Sequence, residues 1–230
     1  MMTELWFVLA SSDLIPFLMF GGIFTIIIIA GVAMYYMEKK RTEAFQAVAS
    51  GLGFSFSPFG TTSLEKEVAG FELFKKGRSP KTKNVLSGLK DDTLLLTMDY
   101  QYTVGSGKNA HTYHQTVVLV GSETLDLPKF HLRPEGFFDK IGDVFGFKDI
   151  DFQSHPKFSS KYMLKGEQED KIRAAFNSNA LDWFERHLGL CVEAIHDRII
   201  VYRSGQRIQP AEINAAIDAA VEIKNLFAKS

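Results

Sequence analysis

The chain has 230 residues, with 26 basic side chains against 27 acidic ones and a formal net charge of −1. That balance gives no global case for nucleic-acid binding, which needs concentrated positive charge. A single cysteine, Cys191, excludes an internal disulfide framework and a zinc cluster built on thiolates.

The stretch Leu14 to Met37 carries no charged side chain. It exceeds the ~20 apolar residues needed to cross a hydrocarbon core. As a helix it would be roughly 36 Å long, enough to span with some tilt. Only Glu4 and Asp13 carry charge before it, while Glu38-Lys39-Lys40-Arg41 follows at once. Lys and Arg beside a span favour the cytoplasmic side. The expected order is therefore a short extracytoplasmic segment 1–13, a transmembrane helix 14–37 and a cytoplasmic remainder. Tyr35 and Tyr36 suit the inner headgroup level and Trp6 the outer one. A cleaved signal peptide is the competing reading, with Gly31-Val32-Ala33 as a cleavage-site mimic. Against it stand an acidic rather than basic leader and an apolar run longer than a signal's core.

Residues 38–52 extend the helix. Phe45, Val48, Ala49 and Leu52 fall at i, i+3, i+4 and i+7, one apolar stripe. The span and this extension read as a single helix. Residues 53–230 then read as an α+β domain built on antiparallel sheet. A short strand Gly53–Ser57 stops at Pro58, and a helix over Ser63–Ala69 takes Thr62 or Ser63 as its cap. Strands are expected at Phe71–Lys76, Asn84–Lys90, Thr93–Val104 and Ala110–Val120, turning at Asp91-Asp92 and Gly105–Lys108. A strand at Phe130–Leu132 leads to Pro134, well placed in a helix's first turn. That helix would run to about Phe145 and bury Phe137, Phe138, Ile141, Val144 and Phe145. Strand Tyr162–Leu164 and helices Glu167–Phe176 and Asn179–Leu188 follow. A hairpin turns at His196-Asp197, and Pro210 opens a last helix with Ile213, Ile217, Ala220, Ile223 and Phe227 on one face. The connection over 146–157 leaves room for a subdomain boundary near 150.

Several stretches together carry a resemblance: the span followed by EKKR, KNVLSG at 83–88, FHLRPEG at 130–136, DIDF at 149–152, KYMLKGE at 161–167 and RIIVYRSG at 198–205. They resemble uncharacterised bacterial proteins with one N-terminal membrane span and a cytosolic α+β domain. The resemblance covers most of the chain. It implies an inner-membrane location and brings no activity with it.

No residue pattern names a reaction. Gly105-Ser106-Gly107-Lys108 lacks the earlier glycine and following Ser or Thr of a phosphate loop, and a strand follows it. It reads as a hairpin turn. Asp139, Asp143, Asp149 and Asp151 offer oxygen ligands for Mg²⁺ or Ca²⁺, but no glycine-defined loop surrounds them, so they read as caps and solvated faces. His111 and His114 lie three apart, on opposite strand faces. Cys191 reads as a small core residue. No metal or other cofactor is expected.

Two features remain as candidate sites. Lys75, Lys76, Arg78, Lys81, Lys83 and Lys90 form a basic segment without an intervening acid. Beside a membrane it can meet anionic lipid, about 1 kcal/mol per charge near the surface. A solvated loop protecting a sheet edge is the plainer reading. It lacks the interleaved aromatics of a single-stranded nucleic-acid site. The second feature is a polar pair, Asp99 and His114. If Gly105–Lys108 is a four-residue loop, Asp99 opposes His114, Tyr100 opposes Tyr113 and Tyr102 opposes His111. The expected role is a membrane-tethered binding or scaffold module, with membrane proteins or anionic lipid as partners. The alternative is an anchored enzyme, a hydrolase, using dispersed His and Asp residues.

Overall fold

The structure is a computed structural model, and it describes residues 2–136 and 147–228. It divides into two compact units, Met1–Ala44 and Phe45–Ser230. Helix α1 is Met2–Leu52, so it takes in residues 2–13 as well as the uncharged stretch. Among the described residues it is the helix long and apolar enough to cross a membrane, with a window of mean hydropathy 2.0. Its large apolar side chains from Met19 to Met37 are 49–72% exposed.

The second unit is an eight-stranded antiparallel sheet with helices on both faces. Its strands are β1 (Ser55–Phe59), β2 (Arg78–Lys90), β3 (Thr93–Val104), β4 (His111–Gly121), β5 (Leu127–Pro134), β6 (Tyr162–Gly166), β7 (Cys191–His196) and β8 (Arg198–Tyr202). Their order in space is β1-β2-β3-β4-β8-β7-β5-β6. Strands from both sides of residue 150 share this one sheet, so no boundary divides it there. Pro58 lies inside β1 rather than ending it. An edge strand tolerates this, because one side of its backbone has no partner to bond.

Alternation along the strands sorts the core into two layers. On one face Phe45 and Ala49 from the end of α1 join Leu86, Leu95, Val118, Val120, Ile199 and Val201. Helices α3 (Pro156–Ser159), α4 (Glu169–Ala175), α5 (Ser178–Arg186) and α6 (Ile213–Phe227) complete this layer through Phe158, Ile172, Trp183, Phe184, Ile217 and Ile223. Its centre is aromatic. Phe176 meets Phe130 at 5.0 Å and Phe227 at 5.1 Å between ring centroids, the edge-on geometry that such rings prefer. The other face carries Leu96, Met98, Tyr100, Tyr102, Val117, Leu119, Ile200 and Tyr202. Among the described residues, a short helix, α2 (Thr62–Val68), and a 3-10 turn at Leu73–Lys75 cover it locally.

Several elements differ from the sequence expectation. Phe71–Lys76 is not a strand, for a reason that lies in the site below. The α2 cap is Thr61, whose hydroxyl accepts from the Leu64 N–H at 3.2 Å. Helix α5 begins at Ser178 rather than Asn179, and the Asn177 side chain caps it by accepting from the Ala180 N–H. Pro134 ends β5 opposite Tyr162. The helix expected from Pro134 to about Phe145 falls mostly on residues 137–146, Asp139 and Asp143 among them, which lie outside the described residues.

The β3–β4 register also differs. Asp99 opposes Thr116, Tyr100 opposes Gln115 and Gln101 opposes His114. The first pair is Val104 with His111, so the connection is 105–110, containing a 3-10 turn at Gly107–Asn109. Gly105 and Gly107 adopt φ of +71° and +55°, a conformation open to glycine. The shift is two residues, so each side chain keeps its expected face.

Candidate binding site

Helix α2 buries only Leu64 and Val68, four residues apart on one side. Those two side chains are too few to fill the width of sheet beneath them. A cavity of about 420 Å³ opens on one side, between α2, the 3-10 turn and β2. A second, of about 280 Å³, opens toward β1 and is lined by Ser55, Ser57, Ser63 and Ser87 among others. Both touch Leu64. Arg198 holds the helix from the sheet, donating to the Glu67 carboxylate at 3.0 Å and to the Glu67 carbonyl at 3.1 Å.

The wall opposite α2 is fixed by a buried acid. Glu193 points from β7 into the second core layer and is 2% exposed. Its carboxylate accepts from the N–H of Glu72 at 2.7 Å, the N–H of Leu73 at 3.1 Å and the Tyr202 hydroxyl at 3.1 Å. His131 Nε2 lies 3.7 Å away. Successive N–H groups converging on one carboxylate impose a turn, because an extended strand sends alternate N–H groups to opposite edges. This is why 71–76 is not a strand. Burial pushes the Glu193 pKa up, opposed by Lys76, by the two backbone donors and by Tyr202. The Tyr202 hydroxyl is pushed well up by burial and by the adjacent Glu193. Glu72 then sends its own carboxylate back over the turn, accepting from Lys75 at 3.0 Å and Lys129 at 2.6 Å. Burial raises the Glu72 pKa, but the two ammonium groups outweigh it and the net shift is downward.

The larger cavity is apolar in its depth and charged at its mouth. Leu64, Val68, Phe71, Phe74 and Tyr100 line it, with Glu65, Lys75 and Thr82. Tyr100 rises from β3 and packs on Phe74 at 4.6 Å between ring centroids. The residue is 3% exposed, and among the described residues its hydroxyl has no hydrogen-bond partner. Burial pushes the Tyr100 pKa up to about 12, so the hydroxyl stays a donor at neutral pH. Such a lining makes a partly apolar recess with charged groups at its rim. Among the described residues no group of three or more His, Cys, Asp or Glu is placed to hold a metal ion.

The basic segment is spread by the fold rather than gathered. Lys75 pairs with Glu72 on the 3-10 turn. Arg78 donates to the Gly105 carbonyl. Lys81 and Lys83 stand on β2 opposite Gln101 and Asp99. Lys90 is exposed at the far end of the same strand, beside the Asp91-Asp92 turn. Lys76 lies within electrostatic reach of Glu193.

The Asp99–His114 pair is not directly opposed. Both stand on one sheet face, offset by one pair, which makes them diagonal neighbours. The direct partners of Asp99 are Asn84 Nδ2 at 2.9 Å and the Thr116 hydroxyl at 2.8 Å. Asn84 reaches it from a β2 bulge with φ of +52°. The Thr116 oxygen in turn accepts from the Ile208 N–H at 3.0 Å, so this network ties the sheet to the loop after β8.

Sequence reasoning passed over Tyr100, Phe74 and Glu193 as site residues. Glu193 left a signal: one acid inside the apolar run Cys191-Val192-Glu193-Ala194-Ile195. A charge at a buried strand position needs partners, and that points to a network.

No family model matches the chain, and no curated protein matches it by sequence. Among solved structures it is similar to the mycobacterial trehalose monomycolate transport factor A, TtfA. The match has 13% sequence identity and a TM-score of 0.57, over 80% of this chain and 93% of that one. The likeness is one of fold. It supports an α+β domain of this architecture and transfers no site residue.

Proposed function

We propose that the chain is a single-pass protein of the bacterial inner membrane, N-terminus outside, whose cytoplasmic α+β domain is a binding or scaffold module. The observation that carries this reading is the bare apolar surface of α1. Between Met19 and Met37 its large apolar side chains are all about half exposed or more. Water does not tolerate a continuous apolar surface of that extent, and lipid covers it. The orientation rests on Lys39-Lys40-Arg41 directly after the uncharged stretch. The domain then works at the membrane through raised local concentration. Its partners are membrane proteins or anionic lipid, the latter meeting Lys75, Lys76, Arg78, Lys81, Lys83 and Lys90. The fold neighbour is named a transport factor, and an accessory role in transport is the form of module that this likeness favours.

A fluorescent protein fused after Ser230 tests the topology. It should fluoresce in the cytoplasm of cells expressing the full chain. An alkaline phosphatase fused at the same point and found active in the periplasm would overturn the orientation. Release of the chain by a high-salt or alkaline wash would overturn the span itself.

A further inference from the structure

We propose that α2 is a lid, latched by Arg198, that lifts off the sheet while the sheet stays folded. The moving segment is 60–70. Its opening joins the two cavities that Leu64 divides, and so gives the domain an open and a closed form. The inference goes beyond the membrane-module reading and does not rest on it.

The two ends of this segment are pinned. Before it, Phe59 pairs with Lys83 and the Gly60 N–H donates to the Thr82 carbonyl at 3.2 Å. After it, Glu193 holds the N–H groups of Glu72 and Leu73. Gly70, just after α2, takes φ of +95°, a conformation open to glycine. Both pins lie outside α2, so they survive its movement.

The grip of α2 itself is small. Its seven residues are too few to hold a helix alone in water, so docking maintains it. That docking rests on the buried side chains of Leu64 and Val68. Leu64 has a cavity on each side, and Val68 lines the larger one. Among the described residues, Arg198 supplies the hydrogen bonds that tie α2 to the sheet, at the Glu67 carboxylate and carbonyl. The two side chains of this ion pair are 31% and 33% exposed, so water hydrates both when it parts. Arg198 keeps a partner in Asp197 at 3.1 Å. Lifting α2 therefore breaks no strand pairing and strands no buried charge. A segment held by so few buried contacts opens at lower free energy than the sheet beneath it.

Cys191 supplies an internal reference. It is the chain's one cysteine and is buried in the same core layer as Leu64 and Val68. Leu64→Cys and Val68→Cys should be made separately in the full chain, held in phosphatidylcholine nanodiscs and pulse-labelled with iodoacetamide. Peptides are counted by mass spectrometry, with each rate referred to the same thiol in urea. In both variants the introduced thiol should react at least about 100-fold faster than Cys191, because the lid opens often and the sheet rarely. Adding Arg198→Gln should raise the α2 rate about fivefold and leave Cys191 unchanged. Hydrogen exchange of the unsubstituted chain removes any effect of the cysteines themselves: the 61–69 amides should exchange at least about tenfold faster than those of β3. Equal labelling of α2 and Cys191, or exchange of 61–69 as slow as that of β3, overturns the lid. No acceleration by Arg198→Gln, or equal acceleration of both thiols, overturns the latch.

Discussion

Replacing Glu193 tests the frame of the site most directly. Glu193→Ala removes the acceptor for three donors, the N–H groups of Glu72 and Leu73 and the Tyr202 hydroxyl. A stranded buried donor costs about 1–3 kcal/mol. If water reaches part of the vacated space, the total is about 3–6 kcal/mol, a large share of the ~5–15 kcal/mol that holds a domain together. Glu193→Gln keeps the shape and one acceptor oxygen but turns an N–H₂ toward the turn, and should cost about 1–3 kcal/mol. The two variants also differ in pH dependence. Burial raises the Glu193 pKa in the folded state, so its stabilising contribution is complete below the ordinary glutamate range. It is lost as pH rises through the raised value. The advantage of the wild type over Glu193→Gln is therefore greatest in acid and shrinks as pH increases. Urea unfolding of the full chain at several pH values reads the stability. Hydrogen exchange of the 71–76 peptide reads the turn itself, which should lose protection in Glu193→Ala before the sheet does. Wild-type exchange there, or a Gln deficit independent of pH, would refute the reasoning.

Two further predictions follow from charge and from hydrogen bonding. If the basic segment meets anionic lipid, the chain should crosslink to acidic lipid in mixed nanodiscs, and changing Lys81, Lys83 and Lys90 to Gln should reduce this severalfold. High salt should do the same, since surface attraction is screened; equal crosslinking to neutral lipid removes the electrostatic account. A double-mutant cycle of Asp99→Asn with Thr116→Val should give a coupling of roughly 1–2 kcal/mol in stability, the size expected for a buried hydrogen bond to a charged group. Coupling near zero would remove that bond from the network that holds the loop after β8.

Much of the fold was legible because local rules and tertiary demands agree. The β7–β8 turn at His196-Asp197 and the β2–β3 turn at Asp91-Asp92 sit between alternating strands. Asp91 and Asp92 both adopt positive φ, 49° and 55°, as a two-residue hairpin turn requires. The apolar stripe of α6 came from spacing alone, and Ile213, Ile217, Ala220, Ile223 and Phe227 are its buried residues. Phe71–Lys76 was misread because its apolar alternation matches a strand. A carboxylate more than a hundred positions away decides its conformation, and no window on sequence includes it. The cavity was illegible for a related reason. It exists because α2 is short and a turn stands beside it, while Tyr100 and Phe74 look like ordinary core residues. Only the missing partner of one hydroxyl separates them from a packed core.

The β3–β4 hairpin shows what a sequence can specify while its register remains open. Strand alternation puts Leu96, Met98, Tyr100 and Tyr102 on one face and Thr97, Asp99 and Gln101 on the other. The structure keeps that division, because a flip would take Leu96, Met98, Tyr100 and Tyr102 out of their core layer and strip the buried Asp99 of Asn84 and Thr116. A two-residue slide breaks no such rule. It replaces Asp99 opposite His114 with Asp99 opposite Thr116, and both are polar pairs. What selects between them lies outside the hairpin. Thr116 accepts from the Ile208 N–H, its own N–H donates to the Gln206 carbonyl, and the neighbouring Gln115 accepts from the Gly205 N–H. The loop after β8 thus reads the position of β4. The connection 105–110 yields to that demand, with Gly105 and Gly107 supplying the left-handed conformations that lengthen it. Register here belongs to the third partner, so the pairing of Asp99 was fixed by residues 205–208 rather than by either strand that carries it.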